Sequence, residues 1–471
     1  MAWRTAPRTI TGTLALLALA GCQVGPDYRP ATATDLGVPG SYSTPRADQT
    51  AAQDLSTWWT RFDDPVLTGL VEKALADNLD IAVAATRLRQ AREALVQSRA
   101  QLLPSVSGSA GAGRNFDSSR SDTSSVSLGA DASWQLDLFG GIGRSIQASR
   151  ADLAASGYDL ASVRTAIAAE VALNYVSARA AQASLAIARD TLTTQDDNLE
   201  IAGFRVQAGL VSSIDEEQAR AQRAQTAATI PTIEQSYANA ANRLSVLTGQ
   251  APGAVDAALS TVVPIPQGPP GIAVGIPADT LRQRPDVRRA ERNLAAATAR
   301  IGVAEAQLYP QLGISGNVGT SALSLGGLAD VITGGLFASL SQIIFDGGRL
   351  RSAVRSQQAA ADGAFATYKQ TVLTGLEDVE NALVALQSSK ARQEALSVQL
   401  QASQSAALYA RSQYRAGLTD FQTQLEAERS LLSARDGLNQ ARAAQAQALI
   451  QLYLGLGGGW QPLDPSTGTA R

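Results

Sequence analysis

The sequence predicts an α+β membrane protein in which one unit, a β-hairpin followed by a very long helical hairpin, occurs twice. Three observations predict this fold: motifs of the first half return in the second, short segments alternate between apolar and polar residues, and long segments without Pro have helical periodicity. The composition agrees with it, because only 5% of the 471 residues are aromatic. Such a chain favours long helices packed closely over wide areas rather than a bulky core.

The internal duplication is visible in three motifs with nearly equal offsets. Residues 101–108 return as 307–314, 139–145 return as 345–352 with one residue inserted, and 208–210 return as 416–418. Nearly equal offsets indicate that the whole unit is duplicated, rather than one short motif recurring by chance. We therefore predict these segments: a first repeat over 63–250, a Pro- and Gly-rich linker over 251–277, a second repeat over 278–457 and a C-terminal tail over 458–471.

Alternation of apolar and polar residues predicts two β-strands in each repeat. The clearest case is 126–138, where apolar side chains such as Leu128 and Trp134 occupy every second position, with Ser, Gly, Asp or Gln between them. We place the strands over about 104–116, 125–139, 310–322 and 335–346. Their lengths match those of tilted transmembrane strands, so each chain is expected to supply four of them.

Each strand pair is followed by a long helix, a turn and a returning helix. Heptad-like apolar spacing predicts coiled-coil helices over about 143–207, 213–247, 349–415 and 419–455. The turns at 208–212 and 416–420 fit helix C-caps. Glycine pairs that would let each strand turn tightly into its helix stand in two matching places: Gly140 with Gly141, and Gly347 with Gly348.

The N-terminal region is typical of an export signal followed by a tether. Two Arg residues precede an apolar run over 10–20, which is too short for a membrane span and ends in Leu-Ala-Gly-Cys. We predict a signal peptide over 1–21, lipidation of Cys22 and an extended tether over 22–62. Gln23 stands where an Asp would favour retention at the inner membrane. The expected location is therefore the outer membrane of a Gram-negative cell.

Charge and residue usage exclude several function classes. The net charge of -3 argues against a nucleic-acid partner, since neutralising phosphates needs a basic surface. The sequence has no His and a single Cys, which excludes His-based acid/base catalysis, His/Cys zinc sites and an intrachain disulfide. It also has no nucleotide-binding loop, dinucleotide fingerprint or nucleophile elbow. We expect no enzymatic activity, no cofactor and no metal.

Four transmembrane strands cannot close into a barrel within one chain. In lipid every backbone amide must be paired, and the smallest single-chain outer-membrane barrels use about eight strands. Copies of the chain must therefore share strands. Two, three or four copies would give about 8, 12 or 16 strands, and the larger two could enclose water.

Four stretches carry a resemblance to a known family. They are Cys-Gln-Val-Gly-Pro-Asp-Tyr-Arg-Pro at 22–30, Trp-Trp and Asp-Pro within 58–65, Arg-Pro-Asp-Val at 284–287 and Phe-Asp-Gly-Gly-Arg at 345–349. Together they resemble the outer-membrane efflux proteins of the TolC/NodT lipoprotein type, and the resemblance covers nearly all of 22–460. It implies a homotrimer, hence a 12-stranded barrel continued by a 12-helix coiled-coil periplasmic tunnel, with a small mixed equatorial region.

The resemblance also implies a periplasmic gate at the tips of the helical hairpins. Glu426 falls on the family's constricting acidic position and Arg429 on its associated basic one, three residues later on the same helix face. Gln422 stands where many relatives have Leu, and Asp215 lies at the equivalent turn of the first repeat. Three-fold symmetry would make each inward carboxylate a ring of three. The alternative is that these acids are solvated residues at helix starts, where the helix dipole favours them.

The tips are also the expected docking surface for a periplasmic adaptor protein, because they lie furthest from the membrane. The residues at these turns are Gly209 and Leu210 in the first repeat and Gly417 and Leu418 in the second.

The function that this resemblance implies is a passive exit duct of a tripartite efflux pump. It would conduct drugs or other small toxic solutes and would be driven by an inner-membrane transporter of the resistance-nodulation-division (RND) type through the adaptor. Two alternatives stay open: an exit duct for type I protein secretion, and a lipid-anchored coiled-coil scaffold without a pore. The sequence does not identify the transported substrates.

Overall fold

The computed structural model describes residues 23–44, 54–117, 120–269 and 277–461. Cys22 and the predicted signal peptide lie outside the described residues. The chain divides into two compact units. Unit 1 contains 86–158 and 288–370 together with the N-terminal residues up to 31, and unit 2 contains 32–85, 159–287 and the residues from 371 onward.

Helices and strands follow the same order in both halves: two helices, two strands, one very long helix and one returning helix. In the first half these are α1 (Pro65–Asp77), α2 (Leu79–Ala100), β1 (Ser105–Asp117), β2 (Arg120–Leu136), α3 (Gly141–Gln207) and α4 (Ser213–Leu247). A short α5 (Asp256–Leu259) follows, and then α6 (Pro277–Gln283), α7 (Pro285–Ala306), β3 (Gln311–Ala322), β4 (Thr333–Ser341), α8 (Arg349–Arg415) and α9 (Phe421–Gly455). Two 3₁₀ helices lie at Trp58–Phe62 and Leu325–Gly327.

The strands of unit 1 form one antiparallel sheet in the order β1-β2-β3-β4. Because side chains alternate between faces, Leu128 and Trp134 share one face of β2, and Asp131 lies on the other. The face with Leu128 is mostly apolar, with Arg114 and Thr320 among its few polar residues, and the face with Asp131 consists mostly of Ser and Gly. The sheet therefore has the two-sided character that the alternation predicts.

Two of the predicted strands have wrong bounds. The second strand, expected over 125–139, begins at Arg120 and ends at Leu136. The fourth, expected over 335–346, is Thr333–Ser341. In both cases the predicted strand extended too far toward the next helix. After β2 the next residue, Asp137, caps the following helix instead of continuing the sheet. After β4 an irregular segment over 342–345 precedes Asp346, which caps the following helix.

The predicted tether over 22–62 is not simply extended, because much of its described part is packed in unit 2. Trp58, Trp59 and Phe62 are buried in the largest apolar cluster. The indole of Trp58 stacks on the ring of Tyr453, with 5.2 Å between ring centroids. Tyr42 is buried in the same cluster. Burial of these large rings outweighs the local Pro- and Ser-rich composition on which the tether prediction rested.

The Asp-Pro motif at 64–65 starts α1. Asp64 accepts hydrogen bonds from the backbone N–H groups of Val66 and Leu67, at 2.9 and 3.0 Å, and Pro65 occupies the first helical position. The second carboxylate oxygen of Asp64 accepts a 2.6 Å hydrogen bond from the Tyr175 hydroxyl of α3. Burial, and then this hydrogen bond to Asp64, raise the pKa of Tyr175. The motif thus joins the start of α1 to the long helix.

The linker over 251–277, which the sequence suggested to be separate from the core, contributes to it. Val255, Leu259 and Ile265 are buried in the main cluster of unit 2. The fully buried guanidinium of Arg179 donates hydrogen bonds to the backbone oxygens of Leu259 and Thr261, at 3.3 and 2.7 Å. These contacts pair backbone carbonyls that are left without helical partners where α5 ends.

The Arg-Pro-Asp motif at 284–286 forms a second polar centre of unit 2. The buried guanidinium of Arg284 makes two hydrogen bonds to Asp286, of 2.7 and 3.1 Å, one of 3.0 Å to Asp378 and one of 3.0 Å to the backbone oxygen of Gly455. Burial opposes the charge of Arg284, but the hydrogen bonds and charges of the two carboxylates outweigh it and raise its pKa. The motif therefore joins the start of α7 to α8 and to the end of α9.

Helices with small residues provide most of the remaining packing. In unit 1, Ala297 and Ile301 of α7 are buried against Ala361 of α8. Ala side chains let helix axes approach closely, which explains how long helices pack here with few aromatic residues. No described helix is both long enough and apolar enough to cross a membrane.

Candidate functional site

Both helical hairpins of unit 2 turn in the same way at their tips. At the end of α3 the N–H of Leu210 donates to Arg205 O at 2.9 Å, and at the end of α8 the N–H of Leu418 donates to Gln413 O at 2.9 Å. Gly209 and Gly417 have φ of +67° and +72°. This is the glycine C-cap that the sequence predicted. It leaves the side chains of Leu210 and Leu418 71% and 79% exposed at the turns.

The returning helices are capped by side chains. Ser212 accepts a 3.2 Å hydrogen bond from the N–H of Ile214 at the start of α4. Asp420 accepts one of 2.8 Å from the N–H of Thr423 at the start of α9. Hydrogen bonds from the side chain and backbone of Thr423 lower the pKa of Asp420. Both tips are therefore defined turns.

Below the turns a small apolar cluster joins the two hairpins. It consists of Ala202, Ala219, Tyr414, Phe421 and Leu425. The rings of Tyr414 and Phe421 lie 5.5 Å apart, and the Arg205 guanidinium lies 4.4 Å from the centre of the Tyr414 ring. Arg205 also donates a hydrogen bond to the Tyr414 backbone oxygen, at 3.3 Å. Cation–π contact and ring packing together hold the end of α3 against the end of α8.

The residues expected to form a gate lie around this cluster but do not form one contact network. Glu426 is exposed on α9 and accepts a 2.9 Å hydrogen bond from the side-chain amide of Gln422. Arg429 donates a hydrogen bond across to Gln222 of α4. Asp215 is half-buried in the first turn of α4. The structure thus brings Gln422 and Glu426 together, while Arg429 contacts the first hairpin.

A buried polar network next to these residues was not predicted from the sequence. The carboxylate of Glu428, 8% exposed, accepts hydrogen bonds from Asn198 at 2.6 Å, from Gln424 at 3.1 Å and from Arg411 at 3.4 Å. Gln424 also donates to the Asn198 side-chain oxygen at 3.0 Å. The sequence contained a signal for it, because 424 and 428 share a helix face with the apolar residues at 421 and 425. Polar residues at core-face positions need partners inside the protein.

In unit 1, glycines and acids define the bends from strand to helix. Gly140 has φ of +76°, and Gly347 and Gly348 have φ of +65° and +89°. Asp137 accepts hydrogen bonds from the N–H groups of Ile142 and Gly143, at 3.0 and 2.7 Å, and so caps α3.

Steric space distinguishes the two bends. A Cβ at Gly140 would lie 2.6 Å from Cγ of Gln23, and one at Gly141 would lie 2.9 Å from Cβ of Ala306. At Gly347 and Gly348 a Cβ would have no neighbour within 4 Å. At the first bend, glycine is required because neighbouring atoms approach closely and because Gly140 has a positive φ. At the second bend, glycine is required only for the positive φ.

The first bend also holds the N-terminal segment. The N–H of Val24 donates to Phe139 O at 3.2 Å. The buried guanidinium of Arg144 donates to the backbone oxygens of Val24 and Gly25, at 2.9 and 2.8 Å, and to the carboxylate of Asp27 at 2.8 Å. The segment that follows Cys22 in the sequence is therefore fixed at the start of α3.

Tyr28 completes the attachment of this segment. Its hydroxyl donates a 3.0 Å hydrogen bond to Glu291 of α7, and the Arg292 guanidinium lies 5.5 Å from the centre of its ring. Burial, followed by the charge of Glu291 and this hydrogen bond, raises the pKa of Tyr28. The phenol is thus kept in its neutral, donating form.

Comparison with known proteins identifies the family. The family model described as "Outer membrane efflux protein" matches residues 70–250 and 276–458. The chain belongs to the outer membrane efflux protein family. The resemblance drawn from the sequence motifs is thereby confirmed.

Relatives match this efflux protein over nearly its whole length. It is 32% identical to Nodulation protein T of Rhizobium leguminosarum bv. trifolii, over 95% of this chain and 96% of the relative. It is 31% identical to the pyoverdine export outer membrane protein OpmQ of Pseudomonas aeruginosa, over 90% of this chain and 92% of the relative. Among solved structures, the outer-membrane channel OprN has 35% sequence identity and a TM-score of 0.84, covering 94% of this chain and 100% of that one.

These findings place the efflux protein in the outer membrane and support the α+β fold class predicted for it. The family is one of efflux ducts, not of enzymes. This agrees with the His-free sequence, which offers no imidazole for acid/base chemistry.

Proposed function

We propose that this efflux protein is one protomer of a homotrimeric exit duct that conducts small solutes out of the cell. One observation carries the proposal: a four-stranded antiparallel sheet with an apolar face and with β1 and β4 at its two edges. In lipid an unpaired strand edge is costly. Pairing β4 of one protomer with β1 of the next satisfies both edges, and three copies give a barrel of about 12 strands.

The helical hairpins of unit 2 supply the periplasmic part of the duct. Each protomer contributes α3, α4, α8 and α9, so three protomers provide about 12 helices for a tunnel wall. The turns at Gly209-Leu210 and Gly417-Leu418 are the surface that a periplasmic adaptor contacts. This assignment is supported by the exposure of both Leu side chains, since exposed apolar residues at a rigid turn suit a protein partner. An inner-membrane transporter of the RND type drives transport through that adaptor.

The tunnel is closed at its periplasmic end by residues of α9 and α4. Glu426 and Gln422 are both exposed and lie one helical turn apart on α9. Three-fold symmetry repeats this pair in each protomer and so gives a polar ring. Arg429 holds the second hairpin to the first through Gln222. Asp215 adds a second carboxylate near the start of α4. Opening then requires the Arg429–Gln222 contact to break.

The lipid anchor is proposed from sequence, and the fixed N-terminal segment supports it. Cys22 is the expected lipidated residue, and Gln23 and Val24 directly after it are held at the strand-to-helix bend at Phe139 and Gly140. An acyl chain on Cys22 would therefore enter the membrane beside the protomer's own strands.

The cargo is proposed as a class: small solutes such as drugs, toxic compounds or secreted metabolites. Support comes from OpmQ, whose name refers to pyoverdine export. No catalytic step is proposed, and transport is passive within this protein.

The experiment that tests the proposed duct is reconstitution of the purified mature protein into planar lipid bilayers. We expect discrete conductance steps. The absence of steps from protein that is folded by circular dichroism would overturn the proposal. Extraction of Cys22→Ala from membranes separates the duct from a lipid-anchored scaffold, because a duct stays in the membrane without its lipid and a scaffold leaves it.

A further inference from the structure

One row of residues on the polar face of the sheet in unit 1 combines a carboxylate with an amide. The register pairs Ser107 with Asp131, Asp131 with Asn317 and Asn317 with Gly335. Residues paired across strands point to the same face. Asp131 and Asn317 are therefore direct neighbours on that face, and both are exposed.

The next row contains an exception to the polar pattern. The register pairs Ser105 with Ser133, Ser133 with Ser315 and Ser315 with Phe337. Phe337 thus lies on the polar face, where it is 59% exposed, although the rest of its row is Ser. An aromatic ring among serines is not explained by packing of the sheet, because the apolar residues of β4 lie on the other face.

The Phe337 ring and the Asn317 amide both lie close to Gly335. A Cβ at Gly335 would be 2.7 Å from Cζ of Phe337 and 3.3 Å from Oδ1 of Asn317. Gly335 therefore leaves room for the ring where the Cβ of any other residue would collide with it. Asp131, Asn317 and Phe337 form one continuous surface, named here the Asp–Phe patch, across three neighbouring strands.

We propose that the Asp–Phe patch binds solutes that combine an aromatic ring with a positively charged amine. The carboxylate of Asp131 and the amide oxygen of Asn317 accept hydrogen bonds from the ammonium group, and the aromatic ring stacks on Phe337. Strands lie about 4.8 Å apart, so Asp131 and Gly335, two strands apart, are separated by about 10 Å. A short chain of carbon atoms between amine and ring spans that distance.

This inference rests on the proposed duct, since closing the sheet into a barrel is what turns its polar face toward the lumen. Three-fold symmetry then gives three patches at one level of the barrel. Each solute that passes this level meets a carboxylate and an aromatic ring on every protomer. The patch therefore favours organic cations among the solutes that reach the barrel.

The test measures block of single channels by 3-phenylpropyltrimethylammonium in planar bilayers, with tetramethylammonium as the cation without a ring. Phe337→Leu should weaken block by the phenyl compound about two- to tenfold and leave tetramethylammonium unchanged. Asp131→Asn should weaken block by both cations and lower the preference for K⁺ over Cl⁻. Phe337→Tyr, which keeps a ring, should keep the block. Phe337→Tyr also serves as the folding control for substitutions at this position.

The matched control is Phe116→Leu, the same substitution in β1. Phe116 is two positions from Arg114, whose guanidinium lies 5.3 Å from its ring, and alternation places both on the apolar face. The Phe116→Leu substitution should leave block by both cations unchanged. Equal block of native and Phe337→Leu channels would overturn the patch while the conductance steps still support the duct. Loss of all conductance in the native protein would overturn the duct and the patch together.

Discussion

The Glu428 carboxylate accepts a 2.6 Å hydrogen bond from the side-chain amide of Asn198, and this contact ties the second returning helix to the first long helix. The two residues are 230 positions apart in the chain. Both are buried, so the bond is shielded from water. It links the two hairpins of one protomer near their tips.

Asn198→Ala should loosen the hairpin tips. The substitution removes one of the donors to a buried carboxylate, and an under-satisfied buried polar group costs about 1–3 kcal/mol. Amide hydrogen exchange over the end of α3 and the start of α9 should therefore speed up about 5- to 100-fold. Gln422→Ala, which removes an exposed hydrogen bond to Glu426, serves as the control. Unchanged exchange in Asn198→Ala would mean that the network does not hold the tips.

The pair of substitutions Glu426→Ala and Arg429→Ala should raise single-channel conductance. The first removes a carboxylate from the proposed constriction, and the second breaks the contact of α9 with Gln222 of α4. Conductance is measured in planar bilayers. The control replaces another acid–base pair near the tip, half-buried Glu216 and exposed Arg220, whose 3.0 Å ion pair lies within α4. Conductance that stays at the native value in the Glu426/Arg429 variant contradicts the gate.

Asp420→Ala should destabilise the start of α9 at neutral pH and have little effect in acid. Hydrogen bonds from Thr423 hold the pKa of Asp420 below the ordinary value of about 3.9. A lowered folded-state pKa gives stability that is present above the ordinary value and is lost as pH falls through the folded pKa. The difference in melting temperature between native protein and variant should therefore narrow below about pH 4. A difference that is the same at neutral and acid pH argues against this cap.

Glycine-to-alanine substitutions should have opposite effects at different sites. Gly417→Ala forces φ of +72° on an L-residue and should cost about 1–2 kcal/mol. Gly140→Ala should cost more, because its Cβ also meets Gln23. Gly203→Ala lies within α3 with no neighbour within 4 Å and should stabilise the helix by about 0.5–1 kcal/mol. Denaturant unfolding, followed by circular dichroism, gives the change in the free energy of unfolding for each variant. A change of the same sign in all three variants would contradict this account.

Sequence periodicity was sufficient for the helices but not for the ends of the strands. The returning helix α4 occupies Ser213–Leu247, as the period and the Gly209 turn predict. The strand β2 ends before Asp137 because this acid caps α3, whereas β4 ends at Ser341, five residues before Asp346, the acid that caps α8. An alternation with a period of two does not show where a strand gives way to a helix cap, because a capping Asp such as Asp137 also fits the polar position of the alternation.

The contributions of the N-terminal segment and the linker depend on contacts far away in the chain. The indole of Trp58 finds its place on Tyr453, and Arg179 pairs with carbonyls of the linker. Local composition predicts a tether and a linker because it contains no information about these partners. The role of buried Glu428 could not be predicted for a related reason: the family resemblance points to exposed Glu426, two residues earlier, and the partners of Glu428 lie far away in the chain.

The most direct test of the central idea, that one chain cannot close its own sheet, is the native mass of the mature protein in mild detergent. The edges β1 and β4 need partners, so no stable monomer is expected. The trimer that the family resemblance implies predicts a mass three times that of one chain. A folded monomer with intact sheet content would contradict it.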